Sequence, residues 1–405
     1  MTRGMTKSDF MAAQLPLSQA STLPSHCYTS REFYEREVEH IFLKEWLCIG
    51  RVDQVEKPGD FFTLTLLGER LIVVRDEENQ VRVLSNVCRH RATQVVEGQG
   101  NRRTFECPYH GWTYSLKGEL IGAPEMQRTD NFDKNQCQLA SPRVETWEGF
   151  IFVNFDQQAQ PLGPKLTPLS ERLEHYHLSE MRTVKTLVYE SNWNWKIMVE
   201  NYMEAYHVLG LHKGPHDVMP VHSVHDASPQ AYNITNTAYN GVFGVIWGDF
   251  ATPGATFYSP GVTGAESGKT EWLPSPFPLI ESLSAEERQR GDFVNIYPTH
   301  LFTPLPDGMF YGQILPQAAD QITWSLTLCF PPAAMEMPDF EQQLEHAVEG
   351  LEYINKQDMW ACASVQQGLA SRMVRAGRYC HLEECIHQLA QYVMGRMQGE
   401  GRLTQ

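Results

Sequence analysis

Cys88-Arg89-His90 and Cys107-Pro108-Tyr109-His110-Gly111-Trp112 decide how this chain is read. The pattern is C-x-H, then sixteen intervening residues, then C-x-x-H, so each segment offers one thiolate and one imidazole. That donor set suits a [2Fe–2S] cluster in which two cysteines hold one iron and two histidines hold the other. Replacing two thiolates by neutral imidazoles removes negative charge and raises the reduction potential above that of an all-cysteine cluster. Structural zinc is the competing reading, because two Cys and two His also form a zinc set. Zinc fingers pair like with like within a segment, whereas both segments here mix the two. The single residue between Cys88 and His90 is also unusual for zinc. Pro108 and Gly111 give the second segment tight-turn chemistry. The spacing therefore predicts a cluster that carries an electron.

The rest of the chain bounds what that electron can do. With 405 residues there is room for two or three domains. Hydrophobic residues make up 42% and charged residues 20%, the balance of an ordinary globular protein. A net charge of -16 argues against nucleic acid, which needs a basic face, and against an anionic membrane surface. No apolar run approaches the roughly 20 residues that span a bilayer. Residues 1–24 lack an apolar stretch of signal-peptide length, so we expect a cytoplasmic protein. Nine cysteines form no disulfide framework, and those outside the two segments read as free thiols in a reducing compartment.

Residues 46 to 155 read as mostly strand. Phe61-Phe62-Thr63-Leu64-Thr65-Leu66, Leu71-Ile72-Val73-Val74-Arg75 and Gly149-Phe150-Ile151-Phe152-Val153-Asn154 are short aromatic or β-branched runs, with turn signals at 76–79 and 117–118. Pro161, Pro164 and Pro168 mark a linker. Beyond it, Asn194 to Leu209 reads as a helix ended near Gly210. Residues 214 to about 290 read as long loops over a pocket. Strands are expected at 293–297 and 322–328, and helices at 339–375 and 381–397. The fold class is α+β, with a β-rich cluster domain at 46–160. A second domain takes 1–45 and 161–405.

A second metal site is suggested by Glu200-Asn201-Tyr202-Met203-Glu204-Ala205-Tyr206-His207-Val208-Leu209-Gly210-Leu211-His212. His207 and His212 are five apart, about 140° around a helix, and cannot meet one ion from a regular helix. Gly210 would resolve this by ending the helix and letting His212 fold back. Glu204 and His207, three apart, share a helix face, so the carboxylate can hold the outer N–H of a metal-bound imidazole. Two histidines and one carboxylate with open positions form the facial triad of non-haem Fe(II) oxygenases. Between Glu352 and Glu383 the one acidic residue is Asp358, among Met, Trp, Cys and Ala. It is the candidate third ligand, unless it pairs with Arg372 or Lys356. His216, His222 and His225 crowd the segment after His212, and one of them could take its place.

CRHRA (88–92) and CPYHGWTY (107–114) resemble the cluster-binding signature of Rieske non-haem iron oxygenases. Ala92 stands where that family usually has Gly. VETWEGFIFVNFD (144–156) resembles the strand closing the family's Rieske domain. N-x-x-E-x-x-H-x4-H, from Asn201 to His212, resembles the iron motif, with Glu204 where relatives often have Asp. Asn355-Lys356-Gln357-Asp358 resembles the late helix that carries the metal carboxylate.

The resemblance implies a Rieske [2Fe–2S] cluster on Cys88, His90, Cys107 and His110, and a mononuclear Fe(II) on His207, His212 and Asp358. It implies a helix-grip catalytic domain with Asn201 and Glu204 in the machinery. It also implies a terminal oxygenase that uses O2 and electrons from an NAD(P)H-dependent flavin or ferredoxin-type reductase. A ring-shaped homotrimer is implied too, with His110 of one copy meeting Glu204 of the next.

YTSREFYEREVEHIF (28–42) and GRYCHLEECIH (377–387) look most like relatives that oxidise betaine-type compounds. This favours hydroxylation or oxidative N-demethylation of a small organic substrate. An aromatic-ring hydroxylating dioxygenase is the alternative, and a Rieske electron carrier without catalysis or a two-zinc hydrolase are further ones. Candidate pocket residues are Met203, Tyr206, Val208, Trp247, Tyr297 and Phe302, since aromatics can cage an N-methylated cation.

Overall fold

The structure is a computed structural model that describes residues 11–212, 241–250, 252–259, 261–263 and 270–398. Two compact units account for it: Phe42–Pro164, and Met1–Ile41 together with Lys165–Gln405.

The first unit is built from three small antiparallel sheets. β1 (Leu47–Arg51) pairs with β10 (Phe150–Asn154), which pairs with β9 (Arg143–Trp147). A four-stranded sheet has the order β4 (Val81–Ser85), β3 (Glu69–Arg75), β2 (Asp60–Leu66), β5 (Gln99–Asn101). The third sheet joins β6 (Phe105–Glu106), β7 (Thr113–Tyr114) and β8 (Leu120–Gly122). Leu71 to Val74 are buried on both faces of β3, as their unbroken apolar run requires. Phe61, Ile72, Val74, Leu84, Phe105 and Tyr114 form one core with Cys88 and Cys107, so the cysteine segments are anchored in the hydrophobic interior.

The second unit is a six-stranded antiparallel sheet with helices. Its strands are β11 (Arg182–Ser191), β12 (Phe243–Asp249), β15 (Arg290–Ile296), β16 (His300–Leu305), β17 (Gly308–Ala318) and β18 (Gln321–Phe330). They run β11-β18-β17-β16-β15-β12, and β13 (Gly261–Thr263) with β14 (Thr270–Trp272) makes a separate ribbon. β12 lies inside the stretch read from sequence as loops. Its glycines at 244 and 248 weaken the strand signal, and pairing with β15 supplies what local propensity does not. Pro168 does not extend a linker: it sits in the first turn of a helix, Thr167–Leu173, where its missing N–H costs nothing.

The helices that matter are α1 (His26–Thr29), α2 (Arg31–Glu37), α3 (Thr167–Leu173), α4 (Trp195–Tyr202), α5 (Val208–Leu211), α6 (Phe340–Leu369) and α7 (Glu384–Met397). α4 packs on α6 and α7. Tyr202 and Thr303 hydroxyls meet at 2.6 Å, and Trp324 Nε1 donates to Asn355 Oδ1 at 2.9 Å, fixing α4 and α6 to the sheet. Gly312 is required beside that tryptophan, because a Cβ there would overlap the indole ring.

The segment before residue 41 belongs to this unit through buried polar contacts. Lys196 Nζ donates to Glu37 Oε1 at 2.6 Å with both side chains fully buried, and Trp195 Nε1 donates to the other oxygen at 3.2 Å. Burial raises the Glu37 carboxyl despite the facing ammonium.

Candidate metal centres

The two Cys–His segments adopt one backbone pattern. Cys88 N donates to Thr93 O at 2.8 Å, and Ala92 N donates to Cys88 O at 2.9 Å. In the second segment Cys107 N donates to Trp112 O at 2.8 Å, and Gly111 N donates to Cys107 O at 3.0 Å. Each loop closes on a residue in the left-handed region, Ala92 at φ +57° and Gly111 at φ +69°. Ala92 carries the steric cost that glycine escapes. Asn86 braces the first loop by accepting from Val95 N and Val96 N, both at 3.0 Å.

The loops sort their donors into pairs. Cys88 and Cys107 are buried and in hydrogen-bonding contact. His90 and His110 are exposed, with Nδ1 atoms 3.1 Å apart. His90 stacks on Trp112 with centroids 4.9 Å apart, and His110 lies against Tyr109 at 3.8 Å. Tyr114 hydroxyl accepts from Arg89 N at 3.0 Å and stands 3.3 Å from Cys88 Sγ.

One thiol pair and one imidazole pair, each drawn from both loops, fit a cluster with two unlike irons. A single zinc would need all four donors around one point. Among the described residues, the one set of three or more donors lying within 4.8 Å of one another is His207, His212 and Asp358.

That second set is assembled differently from the sequence expectation. α4 stops at Tyr202, and Met203 to His207 form a break before α5. Gly210 lies inside α5 and does not terminate it, while His212 is its C-terminal cap. The break is held by Glu204, whose Oε2 accepts from the backbone N–H of Tyr206 and of His207, the latter at 3.0 Å. Its Oε1 lies 2.6 Å from His207 Nδ1. Glu204 and His207 therefore meet across a turn and not along a regular helix face.

His212 Nε2 is 2.9 Å and His207 Nε2 is 3.5 Å from Asp358 Oδ1, in mid-α6. Asn201 Nδ2 donates to the same oxygen at 3.2 Å. Lys356, the alternative partner for Asp358, pairs instead with Glu352 at 2.6 Å. Gln357, which the sequence reading did not single out, faces His212 Nδ1 at 2.7 Å. Burial opposes the charged form of His207, yet Glu204 and then Asp358 hold its pKa above the ordinary value. Two imidazole nitrogens and one carboxylate oxygen so arranged fit an Fe(II) facial triad. His216, His222 and His225 lie outside the described residues.

A cavity of about 120 Å³ opens beside these three residues. Of the candidate pocket residues, Val208 and Trp247 line it, together with Tyr202, Phe257, Phe293 and Phe310. These last four rings close a loop of edge and tilted contacts with centroids 5.6 to 6.5 Å apart.

The other candidates are placed elsewhere. Met203 is buried outside the cavity lining, and Tyr206 is 51% exposed. Tyr297 stacks on Tyr392 of α7 at 4.8 Å. Phe302 stacks on His300, on the opposite face of β16 from Thr303 and the cavity. Alternation along a strand cannot say which face meets the helices, so the sequence reading named Phe302 and did not single out Phe293. Among the described residues, no helix is long and apolar enough to cross a membrane.

The two units thus pair a Cys–His cluster domain with a sheet-and-helix domain that carries a second, His–His–Asp set. Residues 178–399 match the ring hydroxylating alpha subunit catalytic domain and residues 45–138 match the Rieske [2Fe–2S] domain, and the chain belongs to that family. Its cofactors are accordingly a Rieske cluster and a mononuclear iron.

Among its relatives, the carnitine monooxygenase oxygenase subunit of Acinetobacter baumannii is 34% identical over 205 residues, which cover 50% of this chain and 55% of that protein. The chain thus spans about half the length of that relative. The chloroplastic choline monooxygenase of Arabidopsis thaliana is 26% identical over 92% of this chain and 82% of its own. A quaternary ammonium Rieske monooxygenase superposes with a TM-score of 0.77 at 25% identity, covering 96% of this chain and 99% of that one. The naphthalene 1,2-dioxygenase of Rhodococcus sp. gives 0.74 at 19% identity over 98% and 100%, a likeness of fold.

Proposed function

We propose that this chain is the terminal oxygenase of a multicomponent system that hydroxylates or oxidatively N-demethylates a small betaine-type substrate. The observation that carries the reading is the convergence of His207, His212 and Asp358 in the lining of an aromatic cavity. When bound, the cluster supplies single electrons and the mononuclear iron supplies O2 activation.

The protein residues supply the rest. Glu204 holds the Nδ1 proton of His207, which keeps Nε2 free for the metal. Asn201 restrains Asp358 to one orientation. Tyr202, Phe257, Phe293 and Phe310 exclude water and offer ring faces to an N-methylated cation. The carboxylates of Glu204 and Asp358 add negative potential on the same side of the cavity.

Electrons come from an NAD(P)H-dependent flavin or ferredoxin-type reductase. In a homotrimer, the exposed His110 of one copy would face Glu204 of the next, beside the exposed Tyr206 two residues on. The free cysteines agree with a cytoplasmic setting. An aromatic-ring dioxygenase is the second reading, because the same four rings would also stack on a flat substrate.

The test is a substrate panel of carnitine, choline, glycine betaine, stachydrine and simple arenes, scored by product formed only with O2 and reductant. Turnover of arenes alone would overturn the betaine reading. His207→Ala, His212→Ala and Asp358→Ala should each lower iron from about three atoms per chain to about two, with the cluster absorbance intact. Variants that keep all their iron would sink the oxygenase reading itself.

A further inference from the structure

The two imidazoles that face Asp358 have their outward nitrogens held by chemically different groups. His207 Nδ1 meets a carboxylate, Glu204, which can only accept. His212 Nδ1 meets the side-chain amide of Gln357 at 2.7 Å, and His212 itself is only 3% exposed. Gln357 directly precedes Asp358 on α6, so this helix supplies both a candidate ligand and the neighbour of another.

We propose that Gln357 is a positioning residue for the mononuclear iron site: its amide oxygen takes the Nδ1 proton of His212 and leaves the Nε2 lone pair facing the metal. This deepens the oxygenase reading and rests on it.

A neutral imidazole carries one N–H, and which nitrogen bears it depends on the acceptors around the ring. His212 Nε2 lies 2.9 Å from Asp358 Oδ1. A carboxylate at that distance draws the proton to Nε2, the nitrogen a metal must occupy. Gln357 Oε1 is the competing acceptor on the other side of the ring. With it in place, the Nδ1–H tautomer keeps a hydrogen bond in a buried setting, and Nε2 is ready to ligate. Without it, Nδ1–H has no partner there, and the ring favours the tautomer that blocks the metal.

The amide has a second property that Glu204 lacks. Inverted, its NH2 donates to an unprotonated Nδ1, which satisfies the ring when no metal is present. Gln357 can thus serve both the empty and the loaded site, whereas Glu204 holds His207 in one tautomer throughout.

The experiment uses the full chain with its cluster in place, the mononuclear site emptied by a chelator, and Fe(II) titrated back without oxygen. Gln357→Leu should weaken Fe(II) binding by about 10- to 100-fold, the usual cost of losing the partner of a metal-bound histidine. Gln357→Glu keeps an acceptor at the same reach and should restore binding to within a few-fold. The cluster absorbance should not change in either variant.

Binding by Gln357→Leu that equals wild type, or equal weakening by both variants, overturns the inference, because a packing role would not distinguish them. If Gln357→Leu does not accumulate, Gln357→Met provides the same apolar test. A wild-type chain that takes up no Fe(II) beyond its cluster, and does not differ from His207→Ala, would instead refute the oxygenase reading.

Discussion

Replacing Glu204 by Gln probes the turn that brings the two histidines together. The carboxylate accepts three hydrogens: His207 Nδ1–H at 2.6 Å and the backbone N–H groups of His207 and Tyr206. A glutamine of the same length accepts at one oxygen only. If that oxygen faces His207 Nδ1, the NH2 points at two backbone donors. If the amide is inverted, its NH2 donates to Nδ1 and drives the ring proton to Nε2, where the metal must bind.

Either arrangement forfeits a charge-assisted hydrogen bond worth about 1.5–3 kcal/mol. At about 1.4 kcal/mol per tenfold, Fe(II) affinity should fall by roughly 10- to 150-fold. Anaerobic Fe(II) titration reads this directly, and the cluster absorbance serves as an internal reference because the cluster donors belong to the other unit. Glu204→Asp keeps two accepting oxygens and should lose less. An affinity for Glu204→Gln within about twofold of wild type would refute the claim that this carboxylate orients His207.

Three further outcomes follow from particular residues. Ala92→Gly should stabilise the first cluster loop by about 1 kcal/mol, since relief of about 1–2 kcal/mol at φ +57° exceeds the added unfolded-chain entropy of about 0.4–1 kcal/mol. It would appear as a higher denaturant midpoint for cluster bleaching, and a lower midpoint would contradict the loop geometry. Burial pushes Glu200 up to about 7 from 4.5, offset in part by the Tyr28 hydroxyl and Lys196, with Glu383 and Glu204 adding to the rise. The folded chain thus holds a proton that the unfolded chain releases above about pH 4.5, so stability should fall by up to about 3 kcal/mol as pH rises to 7. Urea denaturation across that range should lose this slope in Glu200→Gln, and an unchanged slope would assign it to another group. Arg89, Arg91, Arg102 and Arg103 are all exposed in the cluster unit. Reduction of the cluster by an acidic donor should slow as ionic strength rises, and slow further in Arg102→Glu with Arg103→Glu, whereas a rate flat with salt would leave these arginines no steering role.

What the sequence determined by itself was the chemistry that is local in the chain. The donors of each cluster loop lie within four residues of one another, so their spacing alone separates a mixed-ligand cluster from a zinc finger. The strands at 61–66, 71–75 and 322–328 were legible from β-branched and aromatic runs bounded by turn residues, and the helix around Asp358 from its mixed apolar and charged faces. Glu204, His207 and His212 were legible as a group, but not the break at Met203 that lets them converge. That break is stabilised by a side chain accepting backbone N–H groups, and no helical period records it.

The cavity was decided by tertiary structure. Tyr202, Phe257, Phe293 and Phe310 come from four separate segments, and they meet because the sheet turns one face of β15 and β17 towards α4. Phe302 and Tyr297 have equally apolar surroundings in sequence yet point elsewhere. Gln357 belongs to the same class: an amide in mid-helix looks like surface until His212, 145 residues away, arrives beside it. Local spacing fixes which atoms can bind a metal, whereas strand facing and long-range docking fix which side chains surround it.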